Sequence, residues 1–193
     1  MLRSRSLLVR AVASLRNRLS QVSGQGRALE LQALHRLGLV EIGHRPFVGR
    51  SVRFTIYGDL VVGNDVLFDD GCHVHVSPNA RVVLGNNVKI GRNSVVGAVE
   101  SIEIGDHVLV AEHCTIRDSD HQLRPEDRRN ETSVSHAPVI IGADSWIGAG
   151  VRILKGSQIG AGAIIGANAV VRGPIPARSI AVGIPAKTIK TIE

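Results

Sequence analysis

From residue 141 the chain divides into hexads, IGADSW, IGAGVR, ILKGSQ, IGAGAI and IGANAV, with Val171 opening the next. Each of the five opens on Ile, four carry Gly second, and the fifth place holds a small or β-branched residue: Ser145, Val151, Ser157, Ala163 and Ala169. A period of six matches neither the 3.6-residue turn of a helix nor the two-residue alternation of a long strand. Each hexad therefore reads as one short strand plus a bend, with Gly granting the unusual backbone angles there. The same beat runs upstream through Val62, Phe68 and Val74, then Leu84, Ile90, Val96 and Ile102, then Ile104, Val110 and Ile116. Slips of phase near residues 80 and 103 predict short insertions or bends at corners. Three hexads close one coil, and the first positions stack as an aliphatic column inside a triangular prism.

Composition suits so narrow an interior. Aromatic residues are only 3% of the chain, against 21 glycines, so the core must be filled by small and β-branched side chains. The two cysteines, Cys72 and Cys114, lack CxxC spacing, which fits a reducing compartment and excludes a disulfide scaffold. Both fall on fifth positions of hexads and are expected to be packing residues.

At 193 residues the chain is expected to be one domain with an appendage. Residues 1–53 carry ten Arg against Glu30 and Glu41, while the remaining 140 residues hold 13 Lys or Arg against 15 Asp or Glu. The net +6 thus belongs to the N-terminal segment, and the body lacks the basic stripe that a nucleic-acid partner requires. Leu8, Val12, Leu15, Leu19 and Val22 form one stripe of a helix, with Arg10, Arg16 and Arg18 outside it. Leu29, Leu31, Leu34 and Leu37 form a second leucine-rich stretch ending at Gly38, a C-cap. Such a basic amphipathic segment docks on the domain or a neighbouring subunit, lies on an anionic membrane surface, or acts as an organelle presequence. No apolar run is long enough to span a bilayer. The expected organisation is a helical segment over 1–45, a β-helix over 46–173 with a loop excursion at 118–138, and a tail over 174–193 packing on the β-helix. The expected location is the cytoplasm, with peripheral contact at the inner membrane face through the N-terminal helix.

The beat fails in TIRDSDHQLRPEDRRN, residues 115–130. Carried forward from Ile104, the register puts Asp120 in a small fifth slot and His121 in the outward sixth. Some twenty polar residues follow before Ile141 resumes the repeat, and so long a hydrophilic excursion from a solenoid marks function or mobility. An imidazole titrates near neutral pH, and Asp118 or Asp120 beside it could orient it, so His121 is a candidate general base.

The motifs IGDHVLVAEHCTIRDSDH, PVIIGADSWIGAGVRILKGSQIGAGAIIGANAVVRGPIP and AVGIPAKTIK resemble the CoA-dependent sugar O-acetyltransferases of the hexapeptide family. That family includes galactoside and maltose acetyltransferases and relatives in polysaccharide biosynthesis, and the resemblance covers most of residues 60–190. It implies a left-handed parallel β-helix, an exception to the usual right-handed crossover. It also implies a homotrimer with active sites between protomers, and acetyl-CoA as co-substrate with no metal. The acceptor would be a small or carrier-linked sugar, whose hydroxyl the histidine matching His121 deprotonates. By the same resemblance Trp146 lines the acyl and acceptor end of the cleft, Ala149 and Ala167 leave room for the pantetheine arm, and Arg172, Lys187 and Lys190 lie near the CoA phosphates. The chain departs from the family in VVRGPIP, where Gly173 stands in place of a cation.

Other readings are weaker. His73, His75, His107 and His113 suggest a zinc site such as that of β-helical carbonic anhydrases, but three ligand positions do not align. His136 reads as a loop residue rather than a second base. Serine or amine acetylation is disfavoured because the DRHP pattern is missing after His121, and a non-catalytic scaffold because His121, the long loop and Trp146 occur together.

Overall fold

The computed structural model describes residues 31, 34, 35, 38, 40–122 and 133–193. Three sheets of seven, eight and six strands, parallel except for the last strand of the eight, form the faces of a prism. The chain visits them in rotation: Asp59–Val62 lies on face 1, Leu67–Phe68 on face 2, His73–Val76 on face 3, and Arg81–Leu84 on face 1 again. Each strand bonds to the strands one coil before and one coil after it, so the ladder satisfies the backbone that a dry interior would otherwise leave unpaired.

First positions stand in register from coil to coil. Val62, Leu84, Ile104, Ile141 and Ile159 make the column on face 1. Phe68, Ile90, Val110, Ile147 and Ile165 make that on face 2. Val74, Val96, Ile116, Ile153 and Val171 make the third. All are buried, as are fifth-slot Cys72 and Cys114, each 1% exposed.

The phase slips share one location. Six residues separate columns on passing from face 1 to 2 and from 2 to 3, but Val74 to Leu84 is ten and Val96 to Ile104 is eight. Insertions therefore collect at the corner between faces 3 and 1. Ile102 is buried as well, but it pairs with Val82 and Val139, so the column runs through Ile104.

Glycine acts differently from the sequence expectation. The left-handed backbone falls on the fourth slot, as at Gly150 (φ 71°) and Gly156 (φ 72°), and Asn87, Asn93, His107 and His113 also adopt it there. Asn, Asp and His tolerate this region better than other side chains. The second-slot glycines answer to crowding instead: a Cβ on Gly105 would sit 2.6 Å from the nitrogen of Ala143 in the next coil.

The solenoid outruns its expected limits. It begins with Glu41–Ile42, which pairs with face 1, and Pro174–Ile175 and Ser179–Gly183 add further rungs after residue 173. Ile175 and Ala181 still fill the columns although the spacing has changed, so the coil continues. Only Ala186–Thr191 behaves as an applied tail, folding back antiparallel on Ser179–Gly183. At the other end Leu31 and Leu34 are buried in the common core with Val40, so the second leucine-rich stretch docks on the first coil. Gly38 has φ 67° and its amide bonds the His35 carbonyl, as a helix C-cap does. The apolar stripe from Leu8 to Val22, with Leu29 and Leu37, lies outside the described residues. Among the described residues no helix is long and apolar enough to cross a membrane.

Candidate active site

After Ile116 the six-residue repeat ends. Thr115–Arg117 is the fourth-coil strand of face 3, and Ser119–His121 runs on as one strand of an antiparallel ribbon with Val134–His136. Strand alternation continues past Ile116 in place of the hexad, with Ile116 facing in, Arg117 out and Asp118 in, and the chain bends at Asp118 before the ribbon begins. Asp120 therefore does not occupy a small interior slot. It is exposed, and Asp118, fully buried, takes the inward place. His121 is exposed at the foot of the excursion, opposite Val134.

Asp118 is engaged with main chain. Its Oδ1 accepts from the Val99 amide at 2.8 Å and its Oδ2 from the Glu100 amide at 2.7 Å. Its own carbonyl accepts from the Ala137 amide at 2.9 Å. His136 Nδ1 lies 2.7 Å from Glu100 Oε2, and Lys155 Nζ donates to the Ser135 hydroxyl. Sequence reading placed His136 in a loop and overlooked Glu100. The eight-residue interval between Val96 and Ile104 was the available signal, since a widened corner has amides to spare.

Trp146 lies on face 2, between Leu109 and Ile164 in the neighbouring coils, and is 51% exposed. Leu109 is exposed too, and beside it an open depression of about 440 Å³ is lined by Asn87, Lys89, His107, Val108 and Leu109. In a three-faced prism the corner between faces 3 and 1 lies across from face 2. His121 and Trp146 of one chain are thus on opposite sides of the solenoid.

Ala149 and Ala167 occupy equivalent third slots in consecutive coils at the corner between faces 2 and 3, where the Asn168 amide bonds the Ala149 carbonyl at 2.8 Å. They leave a strip of low relief along that corner. Arg172 is exposed at the far edge of face 3, while Lys187 and Lys190 are exposed on the final strand over face 2. The three cations are in two places rather than one.

His107 and His113 are fourth-slot bend residues, and His107 Nδ1 approaches Asp144 at 3.5 Å. His73 and His75 face outward on face 3, where burial and the Arg117 charge lower the His75 pKa. Among the described residues no three His, Cys, Asp or Glu side chains gather as a metal ion would need.

Burial pushes the Cys72 thiol up to about 11, and it raises that of Cys114. A raised folded-state pKa means that any stability tied to the neutral thiol is full below the unfolded value of 9.0 and is lost as pH rises through about 11. At pH 8 neither thiol should react with a disulfide reagent until denaturant is added. Rapid labelling of the folded protein would contradict the packing role.

Fold and site together define a class: a parallel β-solenoid of hexads with a polar ribbon inserted at one corner. Residues 138–173 match the family model described as bacterial transferase hexapeptide (six repeats). WbbJ of Escherichia coli, named as a lipopolysaccharide biosynthesis O-acetyl transferase, is 31% identical over 73% of this chain and 78% of its own length. Galactoside O-acetyltransferase of E. coli is 34% identical over 64% of this chain and 63% of its own. A protein of Mycobacterium tuberculosis named as an acetyltransferase is 37% identical over 86% of this chain, which spans 48% of that relative. Among solved structures, the N-acyltransferase AntD of Bacillus cereus, in complex with dTDP and 3-hydroxybutyryl-CoA, superposes with a TM-score of 0.73 at 22% identity, over 84% of this chain and 88% of its own. The chain belongs to the hexapeptide-repeat transferase family.

Proposed function

We propose that this chain is an acyl-CoA-dependent O-acetyltransferase, moving acetyl from acetyl-CoA to a hydroxyl of a sugar or glycan precursor, with His121 as general base. The observation that carries the reading is the exposed His121, presented on a ribbon whose two strands are both tied to the solenoid, in a chain whose relatives bear O-acetyltransferase names. The imidazole takes the proton of the acceptor hydroxyl as its oxygen bonds to the thioester carbonyl carbon. The tetrahedral adduct then collapses, the carbon–sulfur bond breaks, and the departing thiolate takes up the proton. Trp146 offers an apolar wall for the acyl and acceptor groups. The Ala149 and Ala167 strip leaves a path for the pantetheine arm, with Arg172, Lys187 and Lys190 as phosphate partners.

His121 and Trp146 lie on opposite sides of one prism, so a cleft that uses both needs two protomers. A homotrimer supplies three such clefts, and sedimentation velocity should give the mass of three chains; a monomer at assay concentration would sink the shared site. The chemistry is tested by free-thiol release from acetyl-CoA across a panel of nucleotide sugars and simple glycans. Release well above background hydrolysis is expected with at least one hydroxyl acceptor. If the protein neither binds acetyl-CoA nor releases thiol, it is a scaffold.

The basic amphipathic segment from Leu8 to Val22 supports attachment to an anionic membrane, where carrier-linked sugars are made. Deleting residues 1–26, which spares the buried Leu31 and Leu34, should abolish cosedimentation with anionic vesicles. Undiminished binding would dismiss attachment through this segment.

A further inference from the structure

The widened corner at Val99 and Glu100 holds both strands of the ribbon that carries His121. The outgoing strand is fixed where the buried Asp118 carboxylate receives the two successive amides of that corner, at 2.8 and 2.7 Å. The returning strand is fixed where His136 Nδ1 meets Glu100 Oε2 at 2.7 Å. Ser119 pairs with His136 and His121 with Val134, so the two attachments straddle the foot of the ribbon, two rungs from the candidate base. The corner itself is anchored below, its Glu100 carbonyl accepting from the Arg81 amide at 2.9 Å.

We propose that Glu100 and His136 are positioning residues that act through His121, the Glu100 carboxylate locking the returning strand so that the imidazole stands at a fixed height over the corner. This rests on the reading of His121 as the base. A two-stranded ribbon alone is marginally stable in water. Two charge-assisted bonds on the outgoing strand and one on the returning strand fix it in place of the sheet neighbours that it lacks. The Glu100 carboxylate and the His136 imidazole are each about half-exposed. The pair therefore adds little to global stability. Its effect lies in geometry, because a misplacement of about 1 Å can cost up to about a hundredfold in rate.

Glu100→Ala and His136→Ala should each lower kcat about tenfold, with KM for acetyl-CoA unchanged. The double variant should be no slower than either single one, since both remove the same contact. Glu100→Gln should recover most of the rate, because its amide oxygen still accepts from His136. The main-chain bonds at residue 100 survive every one of these changes, so the variants should fold. In a His121→Ala background Glu100→Ala should have no further effect. An equal loss there, or unchanged kcat in the single variants, would overturn the assignment.

A second readout needs no turnover. The His121 ring resonances should shift and broaden in Glu100→Ala and His136→Ala and return in Glu100→Gln; superimposable spectra would overturn the clamp. A wild-type chain that releases no thiol with any acceptor would remove the acetyltransferase reading and leave the ring spectra to decide the clamp.

Discussion

Replacing His121 by alanine should leave a folded protein that binds acetyl-CoA with its original affinity and transfers acetyl about 10²–10⁴-fold more slowly, the range that a general base contributes. The side chain is exposed on a ribbon outside the prism, so removing it opens no cavity in the aliphatic columns. The loss should therefore fall on kcat, and the thermal midpoint should stay where it was. His121→Asn, which keeps a polar group of similar size but cannot take a proton at neutral pH, should be as impaired as the alanine variant. Retention of the wild-type rate in either variant would remove His121 from the chemistry and leave the exposed face-2 groups around Trp146 to be searched instead.

The second large effect is expected at Asp118. Asp118→Ala takes away the acceptor of two neighbouring amides, those of Val99 and Glu100, and empties a fully buried site under the root of the excursion. A hydrogen bond to a charged group contributes about 1.5–3 kcal/mol, and the partly hydrated corner recovers some of that from water. The net loss should be about 2–4 kcal/mol, visible as a lower thermal midpoint at fixed protomer concentration. Asp118→Asn keeps one carbonyl oxygen and should lose roughly half as much. Transfer should also slow, since the outgoing strand no longer has its anchor. A variant with unchanged midpoint would show that water replaces the carboxylate at no cost.

Asp118 also marks where sequence reading reached its limit. The hexads mark which residues line the core because residues six apart fall on successive inner faces: Ile147, Ile153 and Ile159 each enter a buried column, one per face. The small fifth slots were legible for the same reason, and Cys72 and Cys114 fell where the repeat put them. The period of six ends at residue 117. Extending that period puts Asp120 inside, whereas the two-residue alternation of the strand puts Asp118 there, at the bend where the ribbon leaves the prism. The glycines were misjudged differently. The second slot needs Gly because the next coil's backbone lies within contact distance, a fact that exists only once coils are stacked.

The candidate site divides along the same line. Its residue types were readable: one histidine where the beat stops, one tryptophan in an outward position, alanines in successive third slots. That His121 and Trp146 occupy opposite sides of the prism follows from which corner each hexad turns, whereas Lys187 and Lys190 owe their place to the antiparallel tail. The clamp of Asp118, Glu100 and His136 joins residues up to 36 positions apart. No local pattern encodes such a contact. By itself the sequence determined the solenoid, its core columns and the point where the repeat opens, because those depend on interactions between one coil and the next that recur every few residues. Only the tertiary structure decided which groups hold the ribbon and which faces must meet across protomers, because those depend on how a non-repeating excursion lands on a corner several coils' worth of chain away.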